Sequence, residues 1–321
     1  MLKTRFTELV GCPVPIQEAG MGGFTEPELP VAVAEAGALG MIGAVMVPAG
    51  ALSELLDDIA GRTDKPVGVN FLMPFLDREA VDVAAGKARL VEFFYDDPDP
   101  SLVEIVHAGG ALAGWQVGSA AEAVVAADAG CDVVAAQGIE AGGHLRGTLG
   151  LLPLLDGVLE AVDIPVVAGG GIGTARAMAG ALAAGADAVR VGTRFVASAE
   201  SPVHPDYVKA LVAARAEDAV MTDAFSVMWP DAPHRVLRSC IEAAKAFEGD
   251  VVAEMEVGGR TTPIPKLAVP SPGREATGAI EAMALYAGQS VEAVQGVVPA
   301  AEIVRELADG AERLLRRWCD G

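Results

Sequence analysis

The stretch IPVVAGGGIGTARAMAGALAAGADAVRVGTRF, residues 164–195, decides the architecture. It opens with a short apolar run, breaks at a glycine cluster, continues through an Ala-rich amphipathic segment that stops at Gly185, and enters a second apolar run. A buried parallel strand, a helix and the next parallel strand read this way. A strand covered on both faces is a continuous apolar run, and Gly is a common helix stop. The glycine cluster also weighs against the doubly wound alternative. A dinucleotide-binding sheet carries G-x-G-x-x-G after its first strand, and here Thr174 and Arg176 stand where the last glycine is needed.

The same unit recurs along the chain. Strands are predicted at VPIQEAG (14–20), LGMIGA (39–44), PVGVNFL (66–72), LVEFFY (90–95), LAGWQVG (112–118), DVVAAQG (132–138), IPVVAGG (164–170) and AVRVGTRF (188–195). Between them lie segments such as SELLDDIAGR, PSLVEIVHAGG and AAEAVVAADAG, with apolar residues at helical spacing. Eight strand–helix repeats in about 215 residues is the number and length of a closed (β/α)8 TIM barrel. Residues 1–217 are therefore expected to form an α/β barrel, and residues 218–321 a C-terminal helical and loop extension over its mouth that contributes to the site. Within the extension MWPDAPHRV (228–236) and RTTPIPKLAVPSPGR (260–274) read as surface loops, and ATGAIEAMALYAG (276–288) and AAEIVRELADGAERLLRRW (300–318) as helices.

Composition narrows the function. With 52% hydrophobic residues the 321-residue chain has ample core, and its formal charge of −21 leaves no clustered Lys and Arg for a nucleic acid. No 18-residue uninterrupted apolar run or secretory leader pattern is present, so no membrane association and a cytoplasmic location are expected. Cys12, Cys131, Cys240 and Cys319 are scattered, without C-x-x-C or His at zinc-ligand spacing, which predicts neither a disulfide scaffold nor a metal site.

In such a barrel the functional residues follow the strands' C-terminal ends. After the seventh strand AGGGIGTARA offers glycines that let the backbone approach an anion and a helix start whose N–H groups point at it, and Gly192-Thr193 adds a backbone donor and a hydroxyl after the eighth. After the sixth comes AAQGIEAGGHLRG (135–147). Gln137 suits the edge of a planar heterocycle, Gly142 and Gly143 let the chain lie close to it, and the His144 imidazole is placed for proton transfer. Glu140 is expected to pair with Arg146 or a neighbouring helix. His107 reads as solvent-facing and His204 as part of a loop or helix start, while His234 is assigned no role. There is no G-x-S-x-G motif and no carboxylate cluster for a divalent metal. A phosphate cradle, a heterocycle-binding glutamine and one His point to a phosphorylated cofactor that carries the hard step, and FMN fits those parts.

These residues carry a resemblance. The chain resembles the flavin-dependent nitronate monooxygenases, formerly 2-nitropropane dioxygenases, through PIQEAGM (15–21), VNF (69–71), QGIEAGGHLRG (137–147), VVAGGGI (166–172), VGTRF (191–195), SAES (198–201) and AMALYAGQSV (282–291). The resemblance implies an eight-stranded barrel binding FMN, with the ring and ribityl chain near Met21, Gly22, Asn70, Gln137 and Gly142. It places the phosphate near Gly171, Gly192 and Thr193, lets Gly288 and Gln289 close over the cofactor, and makes His144 the catalytic base. Arg190 departs from it, standing where family members often carry Gln, either to contact the phosphate or to pair with an acid. The implied reaction is oxidation of a small alkyl nitronate, such as propionate 3-nitronate, by flavin and O2 to a carbonyl product plus nitrite or nitrate. On strand-end position alone Met21, Met46, Phe71 and Tyr286 are expected to face the pocket. Two alternatives share the motifs: an FMN-dependent enoyl-acyl-carrier-protein or quinone reductase using NAD(P)H, and a non-catalytic flavin-binding redox sensor or accessory subunit.

Overall fold

In the computed structural model, which describes residues 2–23, 25–257 and 260–319, the apolar runs become strands where the sequence predicts them. They are β1 (Ile16–Glu18), β2 (Gly40–Gly43), β3 (Val67–Leu72), β4 (Leu90–Phe94), β5 (Leu112–Val117) and β6 (Val133–Gln137), then, after the two-residue β7 (Gly143–His144), β8 (Val166–Gly169) and β9 (Ala188–Val191). Without β7, eight strands pair in parallel in the order β1-β9-β8-β6-β5-β4-β3-β2. The ends join through a Gln17–Leu39 bridge, with Glu18 N donating to Leu39 O and Leu39 N to Ile16 O, both at 2.9 Å. The fold is a TIM barrel. The last strand stops at Val191, earlier than the sequence suggests. Gly192 turns the chain into the helical turn Thr193–Val196, which withdraws Thr193 from the sheet.

Strand alternation sorts side chains into two cores. One set, including Phe71, Phe93 and Trp115, faces the surrounding helices. The other fills the barrel. Leu39, Met41, Leu90, Val133, Val167 and Ala188 form an apolar floor, on which the helix Arg5–Val10 seats Phe6 and Val10. Gln17, Asn70, Glu92 and Gln116 are also buried in the strands, as a polar layer.

The extension holds more strand than expected. β10 (Ala219–Thr222) and β11 (His234–Leu237) form a three-stranded sheet with β7, so the extension hydrogen-bonds directly to the loop that carries His144. A second sheet contains β12 (Val251–Val257), β13 (Arg260–Pro265) and β14 (Thr277–Gly278). MWPDAPHRV thus ends in β11, and RTTPIP is strand instead of loop. β13 lies at a sheet edge, where Pro263 and Pro265 leave no central ladder unpaired. Residues 276–288 do not form the predicted α-helix. Gly278 has φ +116°, and from Ile280 to Leu285 all but Glu281 are buried, so no solvent face exists for an amphipathic helix.

The helix Ala300–Cys319 forms as expected, but packs on the barrel wall against Ala175–Ala183 and Glu28–Glu35, not on the mouth. Ile303, Val304, Leu307 and Ala311 make that contact apolar. Cys12, Cys131 and Cys240 are buried free thiols, and the side chain of Cys319 lies outside the described residues. No described helix is long and apolar enough to cross a membrane.

One contact tests the barrel packing. At Gly40 a β-carbon would collide with the backbone carbonyl of Pro30 in the helix Glu28–Glu35. Gly40→Val is expected to cost about 1–3 kcal/mol of folding stability as overpacking, read as a lower urea midpoint. An unchanged midpoint would contradict this contact.

Candidate active site

The loop after β6 is built around close backbone approaches. Gly138 N donates to Gly169 O at 2.8 Å, which ties the ends of β6 and β8. Glu140 takes the second of its two expected roles. Its carboxylate accepts Leu151 N at 3.1 Å from both oxygens, capping the helix Leu151–Ala161, while Arg146 pairs with Asp97 and Glu122. At Gly142 a β-carbon would stand 2.5 Å from Gly288 N and 2.6 Å from Ala287 C. The glycine there is required by the backbone of the YAGQS segment. Gly143 has φ +79°, and β7 then pairs antiparallel with β11, placing His144 opposite His234.

Around His144 the walls are aromatic. Trp229 stacks on the imidazole at 4.0 Å between centroids and 24° between planes; Tyr95 meets it edge-on at 6.1 Å, and Tyr286 lies at 5.5 Å. The backbone carbonyl of His144 accepts Gln137 Nε2 at 3.0 Å, while His144 Nε2 is buried without a partner. Burial, and then the neighbouring His234, push the imidazole down to about 3, so it is neutral at physiological pH and able to accept a proton.

Of the predicted pocket residues, Tyr286 is here, with its hydroxyl donating to Val269 O at 3.0 Å. Met21 is half-buried and packs against both the barrel and extension cores, and Gly22, beside it, lies against Val45, where a β-carbon would be 2.7 Å from Cγ2. Met46 is exposed, with φ +57°. Phe71 does not face the pocket. It follows the inward Asn70, so strand alternation turns it into the helix-side core, where it stacks on Phe93 at 6.1 Å.

The loops after β8 and β9 meet the same tail segment through Gly173 and Thr193. Gly170 and Gly171 have φ +117° and +68°, conformations that favour glycine. Thr193 Oγ1 accepts Gly288 N at 3.0 Å, Gln289 N donates to Glu140 O at 2.9 Å, and Gly173 packs on Ser290. Arg194 donates to Gly173 O at 2.8 Å and pairs with Glu306 at 2.7 Å, anchoring this loop to the last helix. Thr193, Gly288 and Gln289 are thereby joined by hydrogen bonds, with Gly171 against Glu140 and Gly192 against Ala19 beside them.

Asn70 and Arg190 lie in the barrel's polar layer. Asn70 Nδ2 donates to Glu92 Oε1 at 2.8 Å, and Gln17 Nε2 to Glu92 Oε2 at 3.2 Å. Arg190 donates to Gln116 Oε1, to Gln17 Oε1 at 3.1 Å and to Glu92 Oε2. Of its two expected roles, Arg190 takes the acid pairing. Glu92, Gln17, Gln116, Trp229 and Tyr95 were not singled out from the sequence. The two glutamines and Glu92 do carry a signal: each is a polar residue inside an apolar run predicted to be a buried strand.

The remaining histidines have structural roles. His107 Nε2 meets Asp132 Oδ2 at 2.8 Å near the surface, and His204 Nδ1 accepts Asp206 N at 3.1 Å to start the helix Pro205–Ala213. His234 is fully buried, with Nδ1 on Ala232 O at 2.9 Å and Nε2 accepting Phe225 N at 3.2 Å.

A mouth of this construction, with these motifs, is matched by known proteins. The nitronate monooxygenase family model matches residues 3–83 and 75–310. The chain belongs to this family. It is a flavin-dependent oxidoreductase of the nitronate monooxygenase type. It is 32% identical to nitronate monooxygenase npaC of Metarhizium robertsii, over 92% of this chain and 90% of that protein. It is also 38% identical to the (3aS,4S,5R,7aS)-5-hydroxy-7a-methyl-1-oxo-octahydro-1H-indene-4-carboxyl-CoA dehydrogenase of Rhodococcus jostii, over 78% and 70% of the two chains. Among solved structures, FabK from Thermotoga maritima superposes with TM-score 0.82 at 29% identity, covering 100% of this chain and 99% of that one. Nitroalkane oxidase from Streptomyces ansochromogenes gives TM-score 0.81 at 29% identity, with 98% and 100% covered.

The buried imidazole makes a pH prediction. Its folded value lies below its unfolded one, so between about pH 6.5 and 3 the unfolded chain binds a proton that the folded chain does not, and stability falls as pH falls through that window. Burial lowers His234 as well, in the same sense. In His144→Asn the urea midpoint should fall less steeply from pH 6.5 to 4 than in wild type. An identical slope would place the imidazole in water.

Proposed function

We propose that the site binds FMN and oxidises small alkyl nitronates, such as propionate 3-nitronate, with O2 to a carbonyl product plus nitrite or nitrate. One observation carries the cofactor reading. Among the described residues, four buried side-chain polar atoms have no hydrogen-bond partner, and three of them, Gln137 Oε1, His144 Nε2 and Arg190 Nε, belong to this site. Leaving a buried polar atom unpaired costs about 1–3 kcal/mol, so three in one site favour a ligand with both donors and acceptors. The flavin ring carries both along its edge.

In this reading Met21, Gly22, Asn70, Gln137 and Gly142 hold the ring and ribityl chain. Gly171, Gly192 and Thr193 hold the phosphate, while Gly288 and Gln289 close over the cofactor. The barrel of residues 1–217 carries the site, and the extension from 218 to 321 contributes the cover through its segments before the last helix. Bound there, FMN would supply the electron acceptor for the oxidation of the substrate by O2. His144 would assist by proton transfer at Nε2 or, where that nitrogen carries its hydrogen, by donating it to an oxygen of the anionic nitro group. Trp229, Tyr95 and Tyr286 keep water from that imidazole. No metal has a part in this reading.

A second reading keeps FMN but makes the enzyme a reductase of enoyl-acyl-carrier-protein or quinone substrates that draws on NAD(P)H. The likeness to FabK and to a CoA-thioester dehydrogenase favours keeping it. A non-catalytic flavin-binding sensor or accessory subunit is the third. Anaerobic mixing of the flavin-loaded protein with propionate 3-nitronate or with NAD(P)H separates them. Bleaching by the nitronate alone supports the proposal, bleaching by nicotinamide supports the reductase, and no bleaching by either supports the sensor. His144→Ala should keep its flavin and turn over about 10²–10⁴-fold more slowly, as for a lost acid–base group. Near-normal turnover would remove His144 from the mechanism.

A further inference from the structure

We propose that the buried Glu92–Arg190 pair sets the electron affinity of the bound flavin, Arg190 acting through its free Nε–H and Glu92 offsetting the charge the ring experiences. The inference rests on the flavin reading above. Registers across the barrel wall supply the placement. Gln137 aligns with Gly169, Gly169 with Arg190, and Arg190 with Gln17, so β6, β8, β9 and β1 present these four residues at one level, at or near the strands' C-terminal ends. Gly169 stands between the two residues whose polar atoms are unmatched, Gln137 Oε1 and Arg190 Nε. It has no side chain to fill that space. A β-carbon there would lie 3.5 Å from Arg190 Cβ and 3.7 Å from its Cδ, so the arginine stem runs across the glycine.

The far end of Arg190 is immobilised. Its two terminal nitrogens are taken by Gln116, Gln17 and Glu92, which come from three different strands, and Glu92 is held in turn by Asn70. The guanidinium cannot rotate to satisfy Nε without breaking these bonds. Energetics make this arrangement costly as a purely structural device. A TIM-barrel interior is ordinarily filled by branched apolar side chains, and a buried ion pair is seldom more stable than an apolar replacement of the same volume. An unpaired N–H adds a further penalty. A pair that is closed on one side and open on the other is explained by a group that meets the open side.

The electrostatic consequence has a sign. The reduced ring carries more negative charge than the oxidised one, and in a site largely shielded from solvent a nearby cation favours the reduced form while a nearby anion disfavours it. In wild type the two effects oppose. Glu92→Gln removes the anion, keeps one carbonyl oxygen to accept from Arg190 and sets its NH2 toward Asn70, whose amide turns over to accept it, leaving Arg190 uncompensated. Arg190→Gln removes the cation and places at that position the residue often found in the family.

The test is the two-electron midpoint potential of the flavin-loaded protein, measured anaerobically against reference dyes, with flavin content read from absorbance. E92Q should shift the reduction equilibrium about tenfold toward the reduced form, about 30 mV upward, and R190Q about tenfold the other way. Opposite shifts are the signature, because a loss of packing would move both variants in one direction. Flavin bound with both reduction equilibria within twofold of wild type, or both displaced in the same direction, overturns the inference and leaves the FMN reading intact. A wild-type protein that takes up no flavin contradicts both. Should one single variant fail to fold, the other is read beside E92Q/R190Q, which has no buried charge at the pair. A single variant shifted about tenfold and a double variant back within twofold of wild type support the inference, and a double variant displaced as far as the single and in the same direction overturns it.

Discussion

The contact on which the site depends is backbone against backbone: Gly142 on the Ala287–Gly288 peptide. No side chain fits at either glycine, since a β-carbon on Gly142 would be 2.5 Å from Gly288 N and one on Gly288 would be 2.8 Å from Gly142 N. This approach lets Gly288 N reach Thr193 Oγ1 and Gln289 N reach Glu140 O, joining loops after β6 and β9 to one tail segment. The β7–β11 ladder fixes the other side of the same loop and brings His234 opposite His144. The extension is thus part of the site's wall, attached by main-chain hydrogen bonds that depend little on side-chain identity.

The chemistry follows from what this enclosure does to polar groups. The imidazole stacked beneath Trp229 is forced neutral, and it keeps a free nitrogen toward its surroundings. Inside the barrel, by contrast, opposite charges are kept but paired, with Glu92 and Arg190 held by amides from neighbouring strands. A low-dielectric mouth over a fixed, internally neutral charge pair suits electron transfer to an aromatic cofactor, since little solvent must reorganise.

Much of this was legible in the sequence, for physical reasons. The eight barrel strands are continuous apolar runs bounded by glycine because each is covered on both faces, and residues at their ends are recognisable once the strands are counted. Gln137, His144, Gly171 and Thr193 stand out as candidates that way. What one dimension conceals is which residues face each other across the barrel. Glu92 in LVEFFY is a lone acid until the registers set it beside Asn70 and Arg190. Trp229 lies far from His144 in sequence, and nothing in a Pro-rich stretch announces a stacking partner. β7 has only two residues and no periodicity, while the prolines of β13 imitate a loop because an edge strand tolerates them. Strand-end position alone does not separate Asn70 from Phe71, and it is alternation along β3 that turns one inward and the other outward.

In the proposed site the glycine loops after β8 and β9 hold the phosphate and the mouth above them the flavin ring. Calorimetric titration of flavin-free protein with FMN and with riboflavin, which has the same ring without the phosphate, tests this placement directly. One FMN should bind per chain, and riboflavin more weakly by at least about tenfold, a difference of about 1.4 kcal/mol. Equal affinity for the two would contradict the placement.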